Sequence, residues 1–329
     1  MVALIFWYFE MGKYVLKRLA LMLFTLIIIV SICFLLVRLL PREFPQDKNQ
    51  EQVLKDRFEA LGYNKPLLVQ LYLYYKNIIT KGDFGTSWYI SYMKPVTKVI
   101  GDRLLPTVLV NFYSLIFSIP LDILFGVYAA IKKNKWQDHF ISTGVMIFVS
   151  VPSYVYAFLV QYFLCFKTQW FPLTLLSLND AGGSWWTLKM FRSMIPAILA
   201  LSFGEIAGLC RFTRAELTET LTSDYMLLAR TKGLTRAQAT SRHALKNAMV
   251  PILPMIISSF IGILGGSFII EQIFSIPGVG SLYLNSIDLL DYDVFMMDTV
   301  FYTFIGLLAG IVVDLSYGFI DPRIRMGER

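Results

Sequence analysis

The residues that could surround a nucleotide phosphate lie in two glycine-bearing segments, Gly82–Ser87 and Gly278–Ser281. A phosphate-binding loop needs glycines followed by a lysine and a serine or threonine, because backbone amides and an ammonium group surround the phosphate. Neither segment contains that lysine. Glycine and proline at these places instead predict tight turns. We therefore expect the chain to bind no nucleotide itself.

The side chains that commonly bind metals or act as nucleophiles are few and scattered. His139 and His243 are the two histidines and lie far apart in the sequence. The three cysteines, Cys33, Cys165 and Cys210, each lie in an apolar run. An odd number of widely separated cysteines builds neither a disulfide framework nor a paired metal site. We predict no catalytic residue and no metal site, which disfavours a metal cargo bound directly by the chain.

Two acidic residues, Asp122 and Glu205, lie inside long apolar stretches. Ionisable groups in such stretches are costly and usually face a cavity or a partner. For Asp122 we expect either a place on a transport pathway or a contact between helices. For Glu205 the alternatives to a pathway are an ion pair with Arg211 and exposure at the membrane interface. Tyr154 is an aromatic candidate for the pathway, although aromatic residues in such stretches often only pack.

The composition shows which kind of element must position these residues. The chain has 329 residues, of which 56% are hydrophobic and 16% are charged, and its mean hydropathy is +0.58. A soluble domain carries roughly 25% charged residues. The composition therefore predicts a membrane protein and excludes a soluble enzyme, a disordered chain and a secreted disulfide scaffold. The net charge of +7 favours an anionic membrane surface over nucleic acid.

Six apolar stretches are long enough to cross a bilayer as helices, which takes roughly 20 residues. They predict an all-α membrane protein with six transmembrane helices. The stretches are Leu19–Val37, Leu104–Ile131, Phe140–Phe166, Ser193–Cys210, Ala248–Ile270 and Val294–Tyr317.

The distribution of lysine and arginine predicts the orientation of these helices. Sixteen of them lie on the side that carries both termini, against three in the two short loops on the other side. Basic residues accumulate on the cytoplasmic side, so both termini are expected there. The segment Pro41–Arg103 is then an external insertion, partly helical around Glu51–Leu61. We expect that the first stretch is not cleaved as a signal peptide, because its apolar core is too long and no small-residue cleavage site follows it.

The predicted organisation has one integral domain with five parts. Residues 1–18 form a cytoplasmic N-terminal segment in which Met1–Glu10 is either an aromatic interfacial anchor or precedes the true start at Met11. The parts in order are 1–18, the first transmembrane helix 19–40, the external insertion 41–103, a five-helix core 104–318 that contains the cytoplasmic segment 211–247, and a cytoplasmic tail 319–329.

The segment 211–247 contains the start and stop signals of two consecutive helices, which predict a helical hairpin. Ser223 and Asp224 can cap the start of a helix, and Gly233 can end it in a left-handed conformation. Thr235 and Gln238 have the spacing of a capping box that opens a second helix.

The first helix of this hairpin carries an apolar face. Tyr225, Leu228, Ala229 and Lys232 have the spacing that places them on one side of a helix. Two interpretations remain open at this point. The face either packs back on the helices of the same chain or docks a cytoplasmic subunit.

The motifs of this segment are typical of one family. The run from Asp224 to Leu234, followed by Arg242–Ala248 and Pro251, resembles the cytoplasmic signature of the oligopeptide/dipeptide/nickel branch of ABC-transporter permeases, and most of all its B-type oligopeptide permease subunit. The other matching motifs are Tyr14–Arg18, Gly82–Ser87, Val151–Tyr154, Phe274–Gly280 and Asp321–Arg325.

The sequence departs from the family pattern at two places. Leu227-Leu228-Ala229 replaces the Glu-Ala-Ala of other importers, which is usual in this branch. Arg42-Glu43 stands where Gly-Asp often follows the first transmembrane helix, which leaves the start of the external domain undefined.

The resemblance implies a membrane-spanning permease subunit of a bacterial ABC importer for peptides in the cytoplasmic membrane. It implies a second homologous permease subunit of the C type, two ABC ATPase subunits that hold ATP and Mg²⁺, and an external substrate-binding protein. It also implies that the segment 211–247 forms the helix that couples the permease to an ATPase. The residues expected in this coupling helix are Asp224, Tyr225, Leu228, Ala229, Lys232 and Gly233, with support from Arg242, His243 and Asn247, and those expected in turns at the external mouth are Gly82, Asp83, Gly85, Pro277, Gly278 and Gly280.

Three other functions compete with peptide import. Nickel or another small solute could be imported by the same mechanism. A secondary carrier or channel would work without ATPase subunits and would favour more charge pairs in mid-membrane than Asp122 and Glu205 provide. An intramembrane hydrolase would need a Ser-His or Asp-Asp arrangement in mid-span, and the sequence shows none.

Overall fold

A computed structural model describes residues 2–40, 51–53, 55–56, 59, 62 and 64–320, with side chains from residue 12 to residue 317. The tail motif Asp321–Arg325, the departure at Arg42-Glu43 and residue Met1 lie outside the described residues. The described part is helical except for loops and one β-hairpin whose strands have two residues each. The prediction of an all-α membrane protein is confirmed.

The elements follow one another in a simple order. The helices are α1 (Val2–Leu39), α2 (Leu67–Lys81), α3 (Val96–Ile131), α4 (Trp136–Ser150), α5 (Ser153–Val160), α6 (Leu188–Leu221), α7 (Asp224–Thr231), α8 (Arg236–Ala239), α9 (Leu245–Gly262), α10 (Phe268–Ile273), α11 (Val279–Asp288) and α12 (Tyr292–Ile320). The strands β1 (Thr86–Ser87) and β2 (Lys94–Pro95) pair antiparallel. The π-helical segments are Gln161–Lys167 and Thr240–Ala244, and a 3₁₀ turn spans Ile263–Gly265.

Five of the described helical runs are long and apolar enough to cross a membrane, and a bent pair makes a sixth candidate. The five runs are Gly12–Leu39, Val96–Ile131, Leu188–Leu221, Arg236–Gly265 and Tyr292–Tyr317. A helix satisfies its own backbone hydrogen bonds, which lipid cannot do. This requirement explains why the apolar stretches of the sequence become helices.

The third predicted span, Phe140–Phe166, is wrong as a continuous helix. The chain bends by 103° between Trp136–Ser150 and Ser153–Lys167. Val151 is extended, with φ −88° and ψ 128°. Pro152 causes this break, because the residue before a proline is pushed out of the helical region and proline has no N–H to donate.

The fifth predicted span, Ala248–Ile270, is wrong at its end. The helix α9 stops at Gly262 and a 3₁₀ turn follows. A second short helix, α10, then begins at Phe268. The absence of charge between residues 263 and 270 makes the two pieces look like one apolar run in the sequence.

The chain divides into two compact units. The first contains residues 1–105 and 277–308. Its buried side chains form two clusters, one around Val96, Val99 and Leu282 and one around Phe34 and Met296.

Within this first unit, helix α2 packs against α1. The rings of Phe34 and Tyr74 lie 4.9 Å apart between centroids. The hydroxyl of Tyr75 donates to the carbonyl of Ile27 at 2.9 Å and contacts the hydroxyl of Ser31 at the same distance. The described residues between 51 and 59 are helical as predicted, whereas α2 is an additional helix that the sequence analysis missed.

The second unit contains residues 106–276 and 309–329. Helix α6 packs against α4, α5 and α9. Met190, Met194 and Ile270 are among the side chains of its buried core. This unit contains the segment 211–247 and both acidic residues of the apolar stretches.

Candidate functional site

The segment 211–247 forms the predicted helical hairpin. Helix α7 begins at Asp224 and is followed at its end by Gly233, whose φ of +88° is left-handed. The amide of Gly233 donates to the carbonyl of Arg230 at 3.0 Å. Ser223 occupies the N-cap position, but its side chain makes no cap hydrogen bond. Its hydroxyl donates instead to the carbonyl of Thr220 at 2.6 Å.

The second arm of the hairpin opens with the predicted capping box. The amide of Gln238 donates to the Thr235 hydroxyl at 3.3 Å, and the amide of Thr235 donates to the Gln238 side chain at 3.0 Å. From there the chain runs as one helical stretch over Arg236–Gly265. The second arm is therefore continuous with a candidate transmembrane helix.

One side of α7 packs on the chain itself. Met226 and Ala229 are buried, with 4% and 7% of their surface exposed. They belong to a cluster of small and apolar side chains that also includes Leu217, Ala239 and Ala244. The inner side of α7 therefore packs back on the same chain, which was the first of the two interpretations of this helix.

The other side of α7 is exposed, and we call Tyr225, Leu227 and Leu228 the outer face. Their exposed fractions are 38%, 65% and 56%. Placing Ala229 on this face is wrong, because Ala229 lies three residues from Met226, on the buried side of the helix. Lys232 is exposed just beyond the end of α7.

The residues expected to support the hairpin lie along its second arm. Arg242, His243 and Asn247 are exposed, whereas Ala244 and Ala248 between and beside them are buried. The second arm thus places its small residues against the chain and its polar residues outward. The supporting role of the polar residues stays a prediction.

A half-buried ion pair joins the C-terminal part of α6 to the first turn of α4. Asp138 is 1% exposed, and its two oxygens accept from Nε and a terminal nitrogen of Arg214 at 2.5 and 2.8 Å. The amide of Asn134 and the hydroxyl of Ser142 also donate to Asp138, at 2.9 and 3.2 Å. In the sequence Arg214 stands out only as a basic charge. The sequence offered one signal for this site, namely Asp138 in the first turn of a helix, where a negative charge is favourable.

The two acidic residues of the apolar stretches line one cavity of about 440 Å³. The cavity lies among residues of α3, α6, α9 and α12 within the second unit. Its lining consists of Leu115, Ser118, Ile119, Asp122, Glu205, Gly208, Leu209, Phe212, Pro254, Met255, Ser258, Ser259, Val313 and Tyr317. Tyr154, the other pathway candidate, is 42% exposed and does not line this cavity.

The hydrogen bonds of Glu205 come from serines on α3. Ser118 and Ser114 donate to its Oε2 atom at 2.8 and 3.1 Å. The ion pair of Glu205 with Arg211, considered from the sequence, does not form among the described residues. Asp122 is 1% exposed and its Oδ1 atom lies 3.5 Å from the Thr213 hydroxyl. Both acids are evident from the sequence, but the serines that donate to Glu205 are not.

The turn at Gly82–Ser87 is built by backbone conformation and carboxylates. Gly82 caps α2 with φ +62°, and Gly85 has φ +113°. The Asp83 side chain accepts from the amide of Gly85 at 2.9 Å. A Cβ on Gly85 would lie 2.7 Å from the carboxyl carbon of Asp293, so this position requires glycine. The predicted tight turn is confirmed.

A carboxylate that sequence analysis missed fixes the rest of this loop. Asp291 is 1% exposed, and its Oδ2 atom accepts four hydrogen bonds. The donors are the hydroxyl of Ser87 at 2.7 Å and the amides of Trp88, Tyr89 and Ile90, each at 3.1 Å. The loop is therefore tied to the start of α12.

The other predicted turn leads into α11. Gly278 precedes the helix and Gly280 is buried in its first turn, after a half-buried Pro277. The amide of Gly278 donates to the Ser281 hydroxyl at 3.1 Å, and this hydroxyl donates to the carbonyl of Gly278 at 2.9 Å. Ser281 thus closes the turn, as the glycines and proline of this segment predicted.

The described residues contain no group of three or more histidine, cysteine or acidic side chains that could hold a metal ion. Cys33, Cys165 and Cys210 are free thiols. Nothing in the described part of the chain therefore favours a resident metal.

Comparison with known proteins identifies the family. Residues 122–326 match the model of the binding-protein-dependent transport system inner membrane component. A dipeptide transport system permease protein of Lactococcus lactis is 36% identical over 96% of this chain and the whole of the relative. A probable peptide ABC transporter permease protein of Sinorhizobium fredii is 33% identical over 96% of this chain and the whole of that relative.

A glutathione transport system permease protein of Salmonella typhimurium is 32% identical over 96% of this chain and 99% of the relative. All three relatives are permeases rather than enzymes. Together with the apolar helical runs, they indicate a multi-pass protein of the inner membrane. This chain belongs to the family of inner membrane components of binding-protein-dependent transport systems.

Proposed function

We propose that this chain is a membrane-spanning subunit of an ATP-driven importer for peptides. Its similarity over almost the whole length to permeases named for dipeptides and for glutathione supports a peptide cargo. It would work beside a second, homologous permease of the C type, with two ATPase subunits beneath and a substrate-binding protein outside. The excess of basic residues around the segment 211–247 supports a bacterial cytoplasmic membrane orientation with both termini inside.

The outer face of α7 carries this proposal. Three apolar or aromatic side chains, Tyr225, Leu227 and Leu228, are exposed on a helix whose other side is fixed to the chain. Large apolar side chains at the centre of an interface supply much of its binding energy. We assign this face to contact with an ATPase subunit.

The hairpin is built to pass movement to the membrane helices. Its first arm follows α6, which runs from Leu188 to Leu221, and its second arm is continuous over Arg236–Gly265. Gly233 holds the turn between the arms. The ATPase subunits would hold ATP and Mg²⁺. Closure of these two subunits around ATP would move α7. The two attached helices would then alternate the access of the pathway between the two sides of the membrane.

A conformational change of this kind requires a contact that differs between the two states. ATP on the ATPase subunits would supply this difference, and the outer face would transmit their movement because its own contact with an ATPase stays intact in both states. The packing of Met226 and Ala229 on the chain supports that role. The cavity around Asp122 and Glu205 would form part of the pathway.

The proposal is tested by reconstituting the complete transporter in proteoliposomes and measuring ATP hydrolysis and accumulation of a labelled dipeptide. The variant Leu228→Glu replaces an exposed leucine without disturbing the buried side of α7. Burial of a leucine side chain is worth about 1.5–3 kcal/mol, so ATPase binding should weaken by roughly tenfold or more. Uptake should fall with it.

A matched control makes the same change at another exposed apolar residue. Ile79 is 80% exposed on α2, and Ile79→Glu should leave co-purification of the ATPases unchanged. Undiminished coupled transport by Leu228→Glu would contradict the proposed coupling face. Accumulation of peptide by the chain without ATPase subunits would instead indicate a secondary carrier. ATP-driven accumulation of nickel rather than dipeptide would correct the cargo.

A further inference from the structure

The cavity in the second unit contains two carboxyl groups and is otherwise mostly apolar. Asp122 and Glu205 lie in its wall together with side chains such as Leu115, Ile119 and Phe212. Asp122 is almost wholly buried, at 1% exposure, yet it borders this open volume. A carboxylate in apolar surroundings is costly unless a cation or several donors accompany it.

The protein supplies donors to only part of this pair. Both serine hydroxyls that reach Glu205 bond to its Oε2 atom. No described residue donates to Oε1. Asp122 has only the Thr213 hydroxyl, at 3.5 Å, which is the outer limit of a hydrogen bond.

The pair also lacks a cation from the chain. In the part of the chain that the structure describes, no lysine, arginine or histidine forms an ion pair with Asp122 or Glu205. Lys132, the basic residue nearest to Asp122 in the sequence, lies just beyond the end of α3 and forms no ion pair with it. Asp138 shows the contrast, because the same unit pairs that buried acid with Arg214.

The two acids lie at neighbouring levels of the cavity. Ser114, Ser118 and Asp122 are spaced by four residues on α3 and so share one face of the helix. Because Ser118 and Ser114 both donate to Oε2 of Glu205, this oxygen lies one to two helical turns, roughly 6–12 Å of rise, from the level of Asp122. Two carboxylates at the lower end of this range can both approach one ammonium group.

The size of the cavity favours a molecule over a bare ion. Its volume of about 440 Å³ falls in the range of about 300–1,000 Å³ that is typical of small-molecule sites. The apolar lining suits an aliphatic or aromatic body, and the carboxylates suit a donor with several N–H groups.

We propose that Asp122 and Glu205 bind the ammonium group of the cargo while its apolar part contacts the rest of the cavity wall. This inference rests on the proposed function and assigns a cargo-binding role to one place in the pathway. The ammonium group has two possible sources in a peptide, the free N-terminus and a lysine side chain. Both sources present the same chemistry to the carboxylates.

The test uses the complete wild-type transporter and a carbodiimide that modifies carboxyl groups, with the modification of Asp122 and Glu205 read by mass spectrometry. Alanyl-alanine should protect both residues as its concentration is raised, and N-acetyl-alanyl-alanine should not. N-acetyl-lysyl-alanine should protect them only if a side-chain ammonium also binds. Equal protection by the free and the acetylated alanyl peptide, or protection by neither, would overturn the proposal.

A second measurement uses uptake of alanyl-alanine by variants. Glu205→Gln keeps an oxygen that can accept from the serines, and Asp122→Asn keeps the shape of its side chain. Each should raise the half-saturating peptide concentration by about tenfold or more, since a lost hydrogen bond to a charged group has typically that effect. Asp288→Asn removes an exposed acid that does not line the cavity, and it should leave this concentration unchanged.

The outcomes separate this inference from the proposed function. Absence of ATP-driven dipeptide uptake by the wild type would contradict the proposed function whatever the labelling shows. Normal uptake by wild type and by both cavity variants would contradict only the ammonium site. If a variant does not assemble, the protection of the wild-type carboxyl groups still decides the question.

Discussion

The carboxylate of Asp291 should be among the most important single groups for the stability of the first unit. One of its oxygens accepts from the Ser87 hydroxyl and from the amides of Trp88, Tyr89 and Ile90, at 2.7 to 3.1 Å. In Asp291→Ala the three amides and the hydroxyl lose their acceptor. An unsatisfied buried donor costs roughly 1–3 kcal/mol. Water can replace the interaction at Tyr89, which is 36% exposed, so the other three donors at the lower bound of this range give a total loss of about 3 kcal/mol.

The measurement is thermal unfolding of the purified transporter, combined with limited proteolysis of the loop between β1 and β2. The loop should become cleavable in Asp291→Ala before the remainder of the complex. Asp291→Asn serves as the matched variant, because its amide oxygen can still accept while the charge is gone, and about half of the stability loss should remain. An alanine variant that unfolds and is cleaved like the wild type would refute the assignment of Asp291 as the acceptor that holds this loop.

Three further substitutions test other parts of the structure. Gly85→Ala should destabilise the first unit far more than Gly82→Ala, because a Cβ at the former meets a carboxyl group at 2.7 Å whereas nothing lies within 4 Å of the latter; equal melting temperatures would contradict this. Arg214→Ala should cost about 1.5–3 kcal/mol, the worth of hydrogen bonds to a charged group, because Asn134 and Ser142 still donate to Asp138; the measurement is thermal unfolding, and removal of both side chains should be less harmful than removal of the arginine alone. Gly233→Ala should cost about 1–2 kcal/mol from its positive φ and Gly233→Asn less, measured as stability and as coupled uptake.

The apolar runs of the sequence predict most of the fold, since a bilayer leaves a polypeptide few alternatives to the helix. The approximate positions of the spans follow from where the apolar residues lie along the chain. What composition does not show is where an apolar run breaks, and the bend after Ser150 lies inside a stretch with no charge. Pro152 is the one local signal for that break, and a proline in a membrane helix is compatible with either a kink or an end.

The hairpin of the segment 211–247 was predictable for a different reason. Its boundaries depend on local chemistry, namely the left-handed Gly233 and the capping box of Thr235 and Gln238, and both are present.

The partners of Glu205 could not be predicted in this way, because they depend on which face of α3 meets α6. A single sequence shows that Ser114 and Ser118 share a face but not which acid lies opposite them.

The two sides of α7 show why one helical pattern supports two interpretations. The helix has eight residues, so an apolar residue on either side is never far from the boundary between the sides. Met226 and Ala229 have the i, i+3 spacing of one face, and Tyr225 and Leu228 have the same spacing one residue earlier. Periodicity alone cannot decide which pair is covered. The small size of Ala229 fits the tight cluster with Leu217, and the larger pair is left outside. The proposed coupling needs both sides, because a face that holds an ATPase moves the membrane helices only when the opposite face is fixed to them.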